Sequence, residues 1–189
     1  MTGLYLIPNV NKIEDNYNKC ILGKFDEVLK ECINEKFTQD INKILDQEIT
    51  NNWGLWGFRG NKGSNNFSYW KDIRKNDIVL FFNNREKLVG FGRMVERLSD
   101  KFEPDQAMEI FADEELILGF LLKDLVVFEE SNIYLKRVGD IIGYEDYFRR
   151  GVVRVSDRNF KNNDIIGKLY EEILFNTSGE RLVGSDYKK

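Results

Sequence analysis

The stretch Asn51-Asn52-Trp53-Gly54-Leu55-Trp56-Gly57-Phe58-Arg59-Gly60, with Phe67-Ser68-Tyr69-Trp70 shortly after it, holds all three tryptophans of the chain. Glycines alternate with the first two tryptophans, and several cations follow. Glycine lacks Cβ, so a ligand or another backbone can approach closely. The indole rings offer flat apolar faces that suit stacking on a nucleobase. The alternative is that these tryptophans belong to the core, which is where a single Trp is usually found.

Composition places the chain among soluble globular proteins. It has 189 residues, of which 42% are hydrophobic and 32% charged, so it is long enough to bury a core. We expect one domain over residues 1–176 and a flexible tail or linker over residues 177–189. No apolar run approaches the roughly 18 residues that span a bilayer, and no signal peptide is visible. The two cysteines lie beside apolar residues, which is typical of reduced thiols. Together these three observations favour a cytoplasmic protein.

Several kinds of catalytic and metal site are excluded. The chain contains no histidine, which removes Cys/His zinc sites and imidazole-based catalysis. No Gly-x-x-x-x-Gly-Lys-Ser/Thr loop occurs. The adjacent acids Glu114-Glu115 and Glu129-Glu130 would point to opposite faces of a strand. We therefore predict no enzyme activity, no catalytic residues, no metal and no cofactor.

Hydrophobic spacing predicts a mixed α/β (α+β) fold. Strands are indicated over residues 4–7, 78–82, 87–96 and 116–128, and residues 83–86 form a hairpin loop between the second and third. Helical spacing marks residues 25–45, 106–111, 133–142 and 163–175. A short helix over residues 69–73 is predicted with Ser68 as its N-cap.

Net charge is −4, so any nucleic-acid binding must come from a local cluster of cations. Two segments qualify. Residues 58–75 and residues 147–161 each carry five cations against one acid, interleaved with aromatic residues. This combination suits phosphate contact with base stacking, although it is also compatible with two ordinary solvated edges. The candidate phosphate contacts are Arg59, Lys62, Lys71, Arg74, Arg149 and Arg150.

Several short segments of the chain resemble the PUA-like superfamily, specifically its YTH and EVE branches. Gly54-Leu55-Trp56 is similar to the Gly-Val-Trp segment of YTH domains, whose Trp forms one wall of a methyladenine cage. Residues 77–82 and 88–94 are similar to the central hairpin of those domains. Residues 150–156 look more like prokaryotic EVE-like modules, which occur as N-terminal DNA-recognition domains of McrB-type restriction proteins.

The resemblance implies a curved, barrel-like mixed sheet flanked by helices. It also implies a DNA-binding domain that flips one modified, methylated base into an aromatic pocket. Trp56 would be the first pocket wall and partly exposed in the free protein. Trp53, Trp70, Phe82 and Phe102 are candidates for the other walls, and Asn9 would read the base edge through its amide.

The partners implied by the resemblance are methylated duplex DNA, an AAA+ motor domain C-terminal to this one, and a separate nuclease subunit. No membrane partner is expected. Two alternatives stay open at this stage. One is an RNA-binding PUA-like module that reads modified RNA. The other is a protein-interaction or assembly domain that has no nucleic-acid ligand.

Overall fold

A computed structural model of the chain describes residues 3–8, 53–60, 65–98, 101–111, 113–143, 151–155 and 164–182. Seven strands lie within these ranges: β1 (Leu4–Ile7), β2 (Trp53–Phe58), β3 (Ile78–Phe82), β4 (Leu88–Arg97), β5 (Leu118–Ser131), β6 (Val153–Val155) and β7 (Thr177–Leu182). Four helices lie among them: α1 (Asn66–Asp72), α2 (Pro104–Phe111), α3 (Leu135–Ile142) and α4 (Asp164–Asn176). The predicted helix over residues 25–45 is outside the described residues.

The strands form one mixed sheet in the order β2-β5-β4-β3-β1-β6, with β7 paired to the second half of β5. β1 runs parallel to β3, and the other pairings are antiparallel. The sheet curls strongly. In a flat sheet β1 and β2 would lie about 19 Å apart, four strand spacings, yet the rings of Tyr5 and Phe58 have centroids 6.4 Å apart. The predicted α+β class with a curved, barrel-like mixed sheet is confirmed.

Strict alternation along β1 and β3 gives the sheet two buried faces. Tyr5, Ile7, Val79 and Phe81 point into the curl, where β2, β5 and α1 close the interior. Their neighbours in sequence point to the opposite face, which α3 and α4 cover. That second core includes Leu4, Leu6, Ile78, Leu80, Phe82, Leu135, Val138, Ile142, Leu169 and Ile173.

Asp77 ties the start of β1 to the turn before β3. Its carboxylate is buried and accepts the backbone N–H of Gly3 at 2.6 Å and of Arg74 at 2.8 Å. Asn76 beside it has a φ of 69°, a left-handed conformation that Asn tolerates better than most residues. The turn therefore fixes where α1 ends relative to the sheet.

Two sequence expectations are wrong in detail. Residues 177–182, assigned to a flexible tail, form β7 against residues 126–131 of β5. Ser68 is not an N-cap, because α1 begins at Asn66 and Ser68 lies inside it. Among the described residues, no helix is long and apolar enough to cross a membrane.

Candidate nucleic-acid interface

Trp56, the predicted first wall of the base pocket, is a core residue. Its side chain is 1% exposed. The ring packs edge-on against Phe81 at 5.4 Å and against Phe111 at 6.5 Å between centroids. The curl of the sheet turns this face of β2 into the interior, so the expectation that Trp56 is partly exposed is wrong.

The glycines of the motif serve packing within the protein. A Cβ on Gly57 would lie 2.8 Å from the carbonyl oxygen of Leu116, so the β2 backbone and the loop before β5 are in direct contact there. A Cβ on Gly119, which pairs with Gly57, would lie 2.5 Å from the Phe102 ring. At Gly57 the close approach is therefore made by the chain itself.

Three other candidate aromatic residues are buried in different surroundings. Phe102 is buried and packs edge-on against Phe111. Phe82 is fully buried on the opposite face of the sheet, under α3 and α4. Trp70 is 7% exposed, and its indole N–H donates to the Gly119 carbonyl at 2.9 Å. The structure therefore does not bring Trp56, Phe82 and Phe102 together around one open space.

The two remaining pocket candidates, Trp53 and Asn9, stay predictions. Trp53 begins β2, and its backbone pairs with Lys123, which in turn pairs with Arg93 on β4. Trp53 is thus in cross-strand register with two cations. The side chain of Trp53 and the whole of Asn9 lie outside the described part of the chain.

The predicted phosphate contacts differ in their surroundings. Arg59 is 47% exposed, but its guanidinium pairs with Asp113 at 2.8 Å and with Glu115 at 3.2 Å, so two carboxylates compete with any phosphate there. Lys71 and Arg74 are exposed. Lys62, Arg149 and Arg150 lie outside the described residues, and their roles stay predictions.

Lys71 belongs to a compact surface cluster, which we call the α1 patch: Phe67, Lys71, Arg97 and Lys101. Phe67 is 37% exposed. The Lys71 and Lys101 ammonium nitrogens lie 4.3 Å and 4.6 Å from the centroid of its ring. Arg97 donates to the Lys71 carbonyl at 2.7 Å and lies over the Trp70 ring at 5.5 Å. The patch therefore presents two lysines over one accessible aromatic ring, with Arg97 next to them over Trp70.

The fold holds these groups firmly. Phe67 stacks on Trp70 at 5.9 Å and 26° between ring planes, and Trp70 is anchored to β5 through Gly119. Arg97 is the last residue of β4, and Lys101 follows shortly after it. The helix, the strand end and the following loop thus converge on the stacked Phe67–Trp70 pair.

The charges of the α1 patch favour the approach of an anion. Since both ammonium groups contact the same ring, they lie within ~9 Å of each other and repel, a cost that a bound anion would remove. Asp72 adjoins Lys71 but faces Arg154, whose guanidinium lies 3.6 Å from its carboxylate. Glu96 and Glu103 are exposed and lie close in sequence to Arg97 and Lys101.

Sequence reasoning found Lys71 but missed the other three members of the patch. The Phe67–Lys71 pair has the i,i+4 spacing that places side chains together on a helix, and this signal was available. Arg97 is the last residue of β4, the second strand of the β3–β4 hairpin, and Lys101 follows in the next loop. Their convergence on α1 follows from strand pairing, which no local pattern indicates.

One polar group in the interior stands apart from the patch. The Tyr5 hydroxyl is buried and has no hydrogen-bond partner in the part of the chain that the structure describes. Burial raises the pKa of this phenol well above its ordinary value, and nearby Arg154 opposes the rise. Tyr5 therefore stays neutral over the physiological range.

Structural comparison identifies the architecture. The chain is similar to the N-terminal domain of Thermococcus gammatolerans McrB, whose structure was solved bound to m5C DNA. The TM-score is 0.58 at 20% identity, and the match covers 92% of this chain and 99% of that one. The predicted resemblance to McrB-type recognition domains is thus confirmed at the level of the fold.

Two mutants of the Zymomonas mobilis protein ZmASCH also match, with TM-scores of 0.40 and 0.42. Each is 10% identical over 93% of this chain. No protein-family model matches the chain, and no curated protein matches its sequence.

Proposed function

We propose that this chain is a DNA-binding recognition domain that contacts DNA through the α1 patch. The observation that carries the proposal is the placement of Lys71 and Lys101 over the exposed ring of Phe67. Arg97 lies beside them, over the Trp70 ring. The fold likeness to a domain solved with methylated DNA supports the choice of DNA as the ligand.

The physical basis is electrostatic. The ammonium and guanidinium groups of the patch would donate hydrogen bonds to phosphates of a duplex. Condensed counterions would then be released from the DNA, which favours binding at low salt. The protein is acidic overall, with a net charge of −4, so the surrounding surface repels DNA and orients it toward the patch. Arg74, exposed just after α1, extends the same surface.

The finer part of the proposal concerns the base. We propose that one methylated base is flipped from the duplex and bound in a pocket. Flipping costs a few kcal/mol of stacking, and contact with aromatic side chains returns about 1–3 kcal/mol per base. Because Trp56, Trp70, Phe82 and Phe102 are buried, the remaining candidates for this pocket are Trp53 and Asn9. Because the Thermococcus domain was solved with m5C DNA, m5C is a base to test beside methyladenine.

The proposed setting is a McrBC-type restriction system. This chain would select the DNA, and an AAA+ motor and a nuclease would act from other domains or subunits. We propose no catalytic step for the chain itself. Within the described residues, no cluster of three or more acidic or Cys side chains is placed to hold a metal ion.

The test is a binding comparison at two salt concentrations. Duplexes with m5C, with methyladenine and with neither are titrated by fluorescence anisotropy against the parent and against a Lys71→Glu/Lys101→Glu variant. The variant should bind every duplex more weakly, and its salt slope should fall by about two, one for each lost phosphate contact. The matched control is Lys87→Glu, because Lys87 also lies over an exposed ring, that of Tyr134, away from the patch.

Each outcome has a separate meaning. If the double variant binds like the parent, the α1 patch is not the interface. A preference for one methylated duplex supports modified-base recognition. Equal binding to all three limits the function to DNA binding. Tighter binding to an RNA of the same sequence favours the RNA-reader alternative, and no binding to either favours an assembly domain.

A further inference from the structure

Phe67 has a placement that phosphate binding alone does not require. It is 37% exposed, although a large apolar ring on a short helix gains free energy when it is buried. Its partner Trp70 is 7% exposed, so the inner side of the stacked pair is dry and the outer side faces solvent. An aromatic ring supported from beneath and surrounded by cations is suited to stacking on a nucleobase.

We propose that Phe67 stacks on an unpaired base, so that the α1 patch selects DNA in which base pairing is disrupted. The proposal rests on the proposed function and goes further, since it names the strand state and the residue that reads it. In an intact duplex both faces of every base are covered by their neighbours, and an outside ring can reach only phosphates and base edges. A base face becomes available when a pair is opened.

The two lysines fit this role. In the free protein their ammonium groups contact the Phe67 ring. A phosphate attracts an ammonium more strongly than an exposed ring does, because it carries a full charge. When DNA binds, both side chains would move to flanking phosphates and uncover the ring at the point where an unpaired base arrives.

Tyr134 provides a matched comparison within the same protein. It is 45% exposed, and the Lys87 ammonium lies 5.5 Å from its ring centroid. Yet it lies just before α3, beside the β3–β4 hairpin and away from Arg97 and Lys101. A Tyr134→Ala variant therefore loses an exposed ring of similar size without changing the α1 patch.

The experiment uses the full chain and three DNA probes: a paired duplex, the same duplex with a two-nucleotide mismatch, and the mismatched duplex with 2-aminopurine at one unpaired position. We expect the parent to bind the mismatched duplex about 5- to 150-fold more tightly than the paired one, the range that stacking on one ring provides. The 2-aminopurine fluorescence should fall on binding as the base stacks.

Variants at Phe67 test whether its ring causes the preference for the mismatched duplex. Phe67→Leu keeps an apolar side chain over Trp70 but removes the ring. Binding to the mismatched duplex should therefore fall more than binding to the paired duplex, and the quenching should be lost. Phe67→Trp should restore both, and Tyr134→Ala should change neither. Thermal melting of each variant shows that it is folded.

The possible failures are distinguishable. Absence of binding to these probes and to the methylated duplexes refutes the proposed function. Equal binding of the parent to paired and mismatched duplexes refutes this inference alone. Equal weakening of both duplexes by Phe67→Leu also refutes it, since Phe67 would then support the patch without reading a base.

Discussion

Replacing Trp56 by alanine tests whether this residue belongs to the core or to a binding pocket. The ring is 1% exposed and packs between Phe81 and Phe111. Truncation leaves a cavity lined by rings that cannot readily collapse into it. Substitutions of this size in a core cost about 3–5 kcal/mol, and the loss of two edge-to-face contacts favours the upper half of that range.

The melting temperature gives the most direct measurement. For a chain of this length, each kcal/mol lost lowers Tm by about 2–4 °C, so Trp56→Ala should lower it by about 6–20 °C. Trp56→Phe is the control, because it keeps an aromatic ring in the site and should lower Tm by much less. Urea unfolding of all three proteins gives the free energies independently.

Binding completes the test. At a temperature where the variant remains folded, its affinity for DNA should stay close to that of the parent, since Trp56 has no accessible surface to offer. An unchanged Tm together with a loss of about 1–3 kcal/mol in affinity for a methylated base would refute the reasoning. It would show that the ring becomes accessible in the complex.

Three further changes test the packing around this core. Gly119→Ala should cost about 1–3 kcal/mol in urea unfolding, because the new Cβ would lie 2.5 Å from the Phe102 ring. Asp77→Ala should cost about 3 kcal/mol, since it leaves the buried N–H of Gly3 without its acceptor. Tyr5→Phe should be neutral or stabilising by up to about 1 kcal/mol at pH 7, because it removes a buried hydroxyl. Because the folded-state pKa of this phenol is raised, the parent should lose stability above the ordinary pKa of about 10, and thermal melts at pH 7 and pH 10.5 should show less loss for Tyr5→Phe.

The contrary results are equally specific. A neutral Gly119→Ala would mean that the Phe102 ring moves aside without cost, and a neutral Asp77→Ala would mean that water replaces the carboxylate. A clear destabilisation by Tyr5→Phe at pH 7 would show that the hydroxyl has a partner in the native state.

Local patterns in the sequence determined most of the secondary structure. The run Ile78 to Phe82 and its return strand were predictable because alternation and turn residues act over a few positions. The same holds for α3 and α4, predicted over residues 133–142 and 163–175 and observed as Leu135–Ile142 and Asp164–Asn176. The likeness of the segments to McrB-type recognition domains also predicted the overall fold.

Tertiary structure alone decided which surfaces these elements present. A Trp-Gly strand looks the same in sequence whether its rings face solvent or core, and the curl of the sheet put Trp56 inside. Residues 177–182 have no strong apolar alternation, and they form a strand because the second half of β5 offers them hydrogen-bonding partners. Arg97 and Lys101 join Phe67 because the β4 end lies beside α1. Such contacts depend on strand order and curvature, which are set by the packing of the whole chain.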